Sequence, residues 1–127
     1  MRLVLLPFLL TLNACSNCNI PYGEYEAFGG SENTTKLELT TSEYKLTYEY
    51  WKPSNYENRL KKIENGTWSC SGNKATLSTK SGSVLAEYQE IGNNPLSLPS
   101  TTKALVFKES ENITLSSSIL YPSNILE

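Results

Sequence analysis

The sequence predicts an all-β fold: about eight antiparallel strands in a small up-and-down barrel, following an N-terminal signal peptide. Tyr44, Leu46, Tyr48 and Tyr50 alternate with Lys45, Thr47 and Glu49, the period of two that marks a half-buried strand. Turn-forming clusters of Gly, Asn, Pro and Ser recur at short, even intervals, and no window sustains a helical period. A chain of 127 residues suits a single domain with one modest core. A sandwich would satisfy the same spacing, but closure into a barrel removes exposed strand edges.

Each element has its own local signal. Residues 23–28 (Gly23, Glu24, Tyr25, Glu26, Ala27, Phe28) read as a first strand, ended by Gly29-Gly30-Ser31. Leu37 and Leu39 alternate with Lys36, Glu38 and Thr40, and Thr41-Ser42-Glu43 reads as the turn into the Tyr44–Tyr50 strand. Beyond the Pro53-Ser54-Asn55 loop, residues 60–63 and then 66–70 read as extended segments. Ser71-Gly72-Asn73 and Ser81-Gly82-Ser83 are turns around residues 74–80, where Ala75 and Leu77 share a face. Residues 84–91 follow, then an irregular stretch to Thr102, and residues 103–108 and 113–121 complete the set.

The N-terminus predicts the compartment. Met1-Arg2 is followed by a nearly continuous apolar run from Leu3 to Leu12. That run is too short for a permanent transmembrane helix, which needs about 20 residues, and it matches the apolar region of a secretory signal peptide. The tetrad Leu12-Asn13-Ala14-Cys15 resembles the bacterial lipobox. The resemblance implies cleavage before Cys15 and acylation of its thiol and new amine, with palmitate-type chains anchoring the protein to a membrane. Ser16 follows the Cys, where an Asp would be a retention signal, so the expected location in a Gram-negative cell is the periplasmic face of the outer membrane. In other bacteria it is the outer face of the cell membrane. The expected division is therefore a signal peptide over 1–14, a lipidated tether over 15–21, a barrel domain over 22–121 and a tail over 122–127.

Cysteine arithmetic fits this picture. With Cys15 lipidated, Cys18 and Cys70 remain in an oxidising compartment where disulfides persist. A bridge between them closes a loop of roughly 50 residues, worth about 4 kcal/mol in the chain-entropy model. Cys15-Ser16-Asn17-Cys18 has redox spacing, but acylation of the first sulfur would block that chemistry.

Composition narrows function by exclusion. The chain has no His, and all 13 acidic residues are Glu, so a Ser-His-Asp relay, an HExxH zinc site and an EF-hand loop are ruled out. A net charge of −2 with dispersed basic residues gives no footprint for nucleic acid. No cofactor and no metal site is expected: the soft ligands available are Cys18 and Cys70, and pairing consumes both. Glu24 with Glu26, or Glu87 with Glu109, could nominally form a carboxylate pair for glycoside hydrolysis, but they read as solvated strand charges. Arg59-Leu60-Lys61-Lys62 likewise reads as a solvated strand face. The sequons at Asn33, Asn65 and Asn112 would be glycosylated only in a eukaryotic secretory route.

The order of motifs has a parallel. Gly23-Glu24-Tyr25, Leu37-Glu38-Leu39, Tyr44 to Tyr50, Gly66-Thr67-Trp68 and Ala75-Thr76-Leu77 together resemble the N-terminal barrel of NlpE-type lipoproteins over residues 22–92. The Gly66-x-Trp68 element is also shared by lipocalin-like barrels, where Gly permits tight strand entry and Trp plugs one end. The resemblance implies a lipocalin-like barrel and an envelope location. The family's metal and stress-sensing roles do not carry over, because its Cys-x-x-Cys after the first strand has no counterpart between Phe28 and Lys36.

The expected function is that of a monomeric, non-catalytic binding or structural module, lipid-anchored in the bacterial envelope, with a protein, lipid or cell-wall partner. Alternatives are a periplasmic protein inhibitor of a wall hydrolase and a carrier of a small apolar ligand. The candidate binding loop is Trp51-Lys52-Pro53-Ser54-Asn55-Tyr56: Trp51 and Tyr56 flank a stretch stiffened by Pro53, the type of rigid amphipathic surface enriched at binding hot spots. Trp68, Tyr44, Tyr48 and Tyr50 are expected in the core.

Overall fold

A computed structural model of the protein describes residues 17–27, 33–52, 55–80, 82–92, 96–112 and 114–125. The strands are β1 (Gly23–Ala27), β2 (Asn33–Leu39), β3 (Glu43–Lys52), β4 (Asn55–Ser71), β5 (Lys74–Thr79), β6 (Gly82–Glu90), β7 (Lys103–Phe107) and β8 (Ile119–Pro122). Each pairs antiparallel with its sequence neighbour, and β8 returns to β1 through Tyr25↔Pro122 and Ala27↔Leu120. The eight-strand barrel expected from the sequence is thus closed. A 3₁₀ turn over Ser123–Ile125 follows β8.

Alternation decides which side chains fill the interior. Tyr25, Leu37, Leu39, Tyr44, Leu46, Trp68, Leu77, Leu105, Phe107 and Leu120 all point inward and are buried. Two residues outside the strands join them: Ile20, ahead of β1, and Leu115, in the turn before β8. Leu37, Leu77, Leu105, Leu115 and Leu120 are at 0% exposure, so side chains pack the interior around them, as is usual for eight strands. Burying a Leu side chain of this kind stabilises the fold by about 1.5–3 kcal/mol.

Three segments differ from the expectation. Residues 60–63 and 66–70 belong to one 17-residue strand, β4. Its first part pairs with β3 from Lys52↔Asn55 to Glu43↔Thr67, and its last five residues, from Thr67 to Ser71, pair with β5. One strand therefore serves two neighbours in succession, which a local pattern does not reveal. The strand expected over 113–121 is confined to Ile119–Pro122, with a turn over 114–117 ahead of it. There the Asn112 side-chain oxygen accepts from the Leu115 N–H at 3.1 Å, and this Asx-type bond competes with strand pairing. Tyr48 and Tyr50 are half-buried, whereas Tyr44 is buried as expected. They lie past the reach of β5 and stack on each other, ring centroids 5.2 Å apart.

Two aromatic hydroxyls anchor the interior. Tyr44 donates to Glu64 Oε2 at 2.6 Å and lies 3.3 Å from the Ser78 carbonyl oxygen. Gly66 makes this possible: a Cβ there would lie 2.6 Å from the Tyr44 ring and 2.7 Å from the Ser78 carbonyl oxygen. Tyr25 donates to the Pro21 carbonyl at 2.6 Å and meets Tyr88 edge to face. Burial pushes both phenols well above their ordinary range, helped at Tyr44 by Glu64 and at Tyr25 by Tyr88. Raised folded values mean that the stabilisation is intact below the unfolded phenol value of about 10 and is lost as pH rises above it. Wild-type protein should therefore lose urea resistance between about pH 9 and 11.5 more steeply than a Tyr25→Phe/Tyr44→Phe variant. Parallel pH profiles of the two proteins would contradict this.

Candidate functional site

The antiparallel order divides the loops between two ends of the barrel. One end carries the β2–β3 turn (residues 40–42), the β4–β5 turn, the β6–β7 connection and the chain preceding β1. The other carries the β3–β4, β5–β6 and β7–β8 connections.

The first end is tightly bound together. Cys18 and Cys70 form a disulfide, Cα atoms 5.5 Å apart. Backbone bonds flank it: Asn19 N–H donates to the Gly72 carbonyl at 2.8 Å, and Gly72 N–H donates to the Asn17 carbonyl at 2.7 Å. Gly72 has φ +60°, a left-handed conformation that glycine adopts at no steric cost. Trp68 closes the same end. Its indole N–H donates to the Thr40 carbonyl at 2.8 Å and its backbone N–H donates to Ser42 at 3.0 Å. Tyr22 meets Trp68 edge to face at 6.3 Å and is itself exposed. Cys18 and Cys70 are therefore committed to each other, and neither thiolate is available to a metal.

The second end is open on one side. Because β5 pairs only with the last residues of β4, the wall parts between β4 and the β5–β6 and β7–β8 connections. A groove of about 590 Å³ results, lined by Leu46, Tyr48, Lys62, Ile63, Glu64, Asn65, Lys80, Glu111, Asn112 and Thr114. Its chemistry is mixed: two ammonium groups, two carboxylates, two amides, an aromatic ring and aliphatic carbon. One carboxylate, Glu64, already accepts from Tyr44. Such a lining suits a polar, partly apolar partner.

The candidate residues are distributed across this geometry. The backbone places Trp51 and Tyr56 near the tip of the β3–β4 hairpin, where the register shifts between Trp51 and Lys52. Pro53 and Cys15 lie outside the described residues, as do the side chains of Trp51 and Tyr56. Glu24 is exposed and lies 3.9 Å from Lys36, an ion pair in solvent worth little. Glu26 and Glu87 are half-buried on separate strands, and Glu109 is exposed after β7. Lys61 and Lys62 are exposed, as expected of a solvated stretch, but adjacent strand residues take opposite faces. Lys62 and Ile63 both border the groove, Lys62 from the inward-facing set and Ile63 from the outer face opposite Thr47, where it is 50% exposed. Sequence reasoning missed Glu64 and the groove itself: an inward Glu breaks the apolar alternation, and only the β3–β4 register brings it to Tyr44. No family model, curated protein or solved structure matches the chain.

Proposed function

We propose that this protein is a lipid-anchored module of the bacterial cell envelope that binds a partner at its open end and performs no catalysis. The observation that carries this reading is the junction between the lipobox-like Leu12-Asn13-Ala14-Cys15 and a disulfide clamp beginning at Cys18. An anchor motif leads within three residues into a braced barrel. The closely packed interior at Leu37, Leu77, Leu105, Leu115 and Leu120 favours binding at the open groove over enclosure of an apolar ligand. The groove beside β4, lined in part by residues of the same β3–β4 hairpin whose tip carries Trp51 and Tyr56, is the surface with the chemical variety a partner needs. The composition agrees with a non-catalytic role, since His and Asp are missing from the sequence and the inward Glu64 is engaged by Tyr44. The likeness of residues 22–92 to NlpE-type lipoproteins belongs to the same proposal.

Metabolic labelling with a fatty-acid analogue in a bacterial host tests the anchor. The wild-type chain should incorporate label and partition with membranes, and Cys15→Ser should do neither. Equal labelling of the two proteins would refute the reading.

A further inference from the structure

We propose that the disulfide-clamped end of the barrel is a membrane-facing surface, so that the groove beside β4 points away from the bilayer. This rests on the reading that Cys15 is acylated. Three links hold residues 17–19 against the barrel: the Cys18–Cys70 bond and the two backbone bonds between Gly72 and residues 17 and 19. Cys15 precedes Asn17 by two residues, and two residues span at most about 7 Å fully extended. The headgroup layer on each side of a bilayer is itself roughly 5–7 Å deep. An acyl anchor this close to the clamp holds the barrel end in or against that layer.

The surface chemistry there fits a lipid interface. The turns present Thr41, Ser42 and Asn73, all exposed and uncharged. Tyr22, 57% exposed, stands on Trp68 at the same end, and tyrosine favours the membrane–water boundary, where its ring and hydroxyl meet different surroundings. The charges on the last rungs of this end are Glu24, Glu38, Glu43, Glu87 and Glu90 against Lys45, Lys74 and Lys103, an acidic excess, so attachment rests on the acyl chains and not on attraction to an anionic surface. Lys62 and Lys80 line the groove at the other end. A partner in the aqueous envelope would meet the groove and the β3–β4 hairpin, while the clamped end is covered by lipid.

The experiment uses the full acylated chain in vesicles of phosphatidylethanolamine and phosphatidylglycerol containing a headgroup nitroxide. The native cysteines are occupied by lipid and disulfide, so a fluorophore can be placed at Ser42→Cys, Asn73→Cys or Lys80→Cys. The Lys80 site lies roughly 20 Å farther along the barrel, for strands of about six residues. Nitroxide should quench the Ser42 and Asn73 sites at least about twofold more than Lys80, consistent with that separation. Equal or reversed quenching in vesicle-bound, acylated protein would overturn the orientation and leave the anchor standing. Wild-type protein that carries no acyl chain by mass and does not float with vesicles would overturn the anchor reading and this proposal together.

Discussion

The Cys18→Ser/Cys70→Ser double variant is expected to unfold about 4 kcal/mol more easily than the wild-type protein, the loop-closure entropy of a 52-residue separation. At a urea slope of about 2 kcal/mol per molar, that is a fall in midpoint of roughly 2 M. For a domain whose total stability is of order 5–15 kcal/mol, the loss is large. It also releases the segment ahead of β1: Ile20 is buried in the barrel end, and the backbone bonds between Gly72 and residues 17 and 19 lose the covalent link beside them. Replacing both cysteines avoids leaving a reactive thiol, so the measurement reports the bridge itself. Equal urea midpoints for the double variant and the oxidised wild type would show that the clamp contributes nothing to stability.

Trp68→Ala is expected to cost about 3–5 kcal/mol, the range for deleting a large buried aromatic side chain. Trp68 is 6% exposed and inward-facing near the end of β4, and it connects three parts of the fold. Its ring packs within the core, its indole N–H satisfies the Thr40 carbonyl, and its outer edge supports Tyr22. Alanine leaves a cavity and removes the donor from Thr40. Trp68→Phe separates these effects, because it keeps most of the apolar volume and loses the hydrogen bond, for about 1–2 kcal/mol. Urea midpoints of the three proteins check the order wild type, Phe, Ala. An alanine variant as stable as the phenylalanine variant would show that the end of the barrel collapses onto the space.

Much of the architecture was legible because strand signals are local. Tyr44 and Leu46 point inward as their alternation required, and Leu37 with Leu39 and Ala75 with Leu77 behave the same way. Trp68 lies in the core as expected, and the structure gives a reason for Gly66: the Tyr44 ring occupies the place where a Cβ would be. The pattern was misleading at Lys62, Ile63 and Glu64. Hydrophobicity alone would turn Ile63 inward, yet β4 turns Glu64 inward to the Tyr44 hydroxyl and leaves Ile63 outside. One charge-assisted hydrogen bond to a buried phenol, together with register across β3, outweighs the exposure of one aliphatic side chain. The candidate site was legible only as an aromatic, Pro-containing loop. The groove along β4 comes from the unequal pairing of that strand with its two neighbours, and no short window of sequence contains that relation.

The sequence by itself determined the all-β class, the turn positions and most inward faces. Each follows from the pleat of a single strand or from the chemistry of a single residue. The tertiary structure decided the closure of β8 onto β1, the length of β4, the inward Glu64 and the division into a clamped end and an open one. These depend on register between segments far apart in the chain. A one-residue slip would exchange inside for outside along a strand, so the arrangement is selected by the packing of the whole barrel.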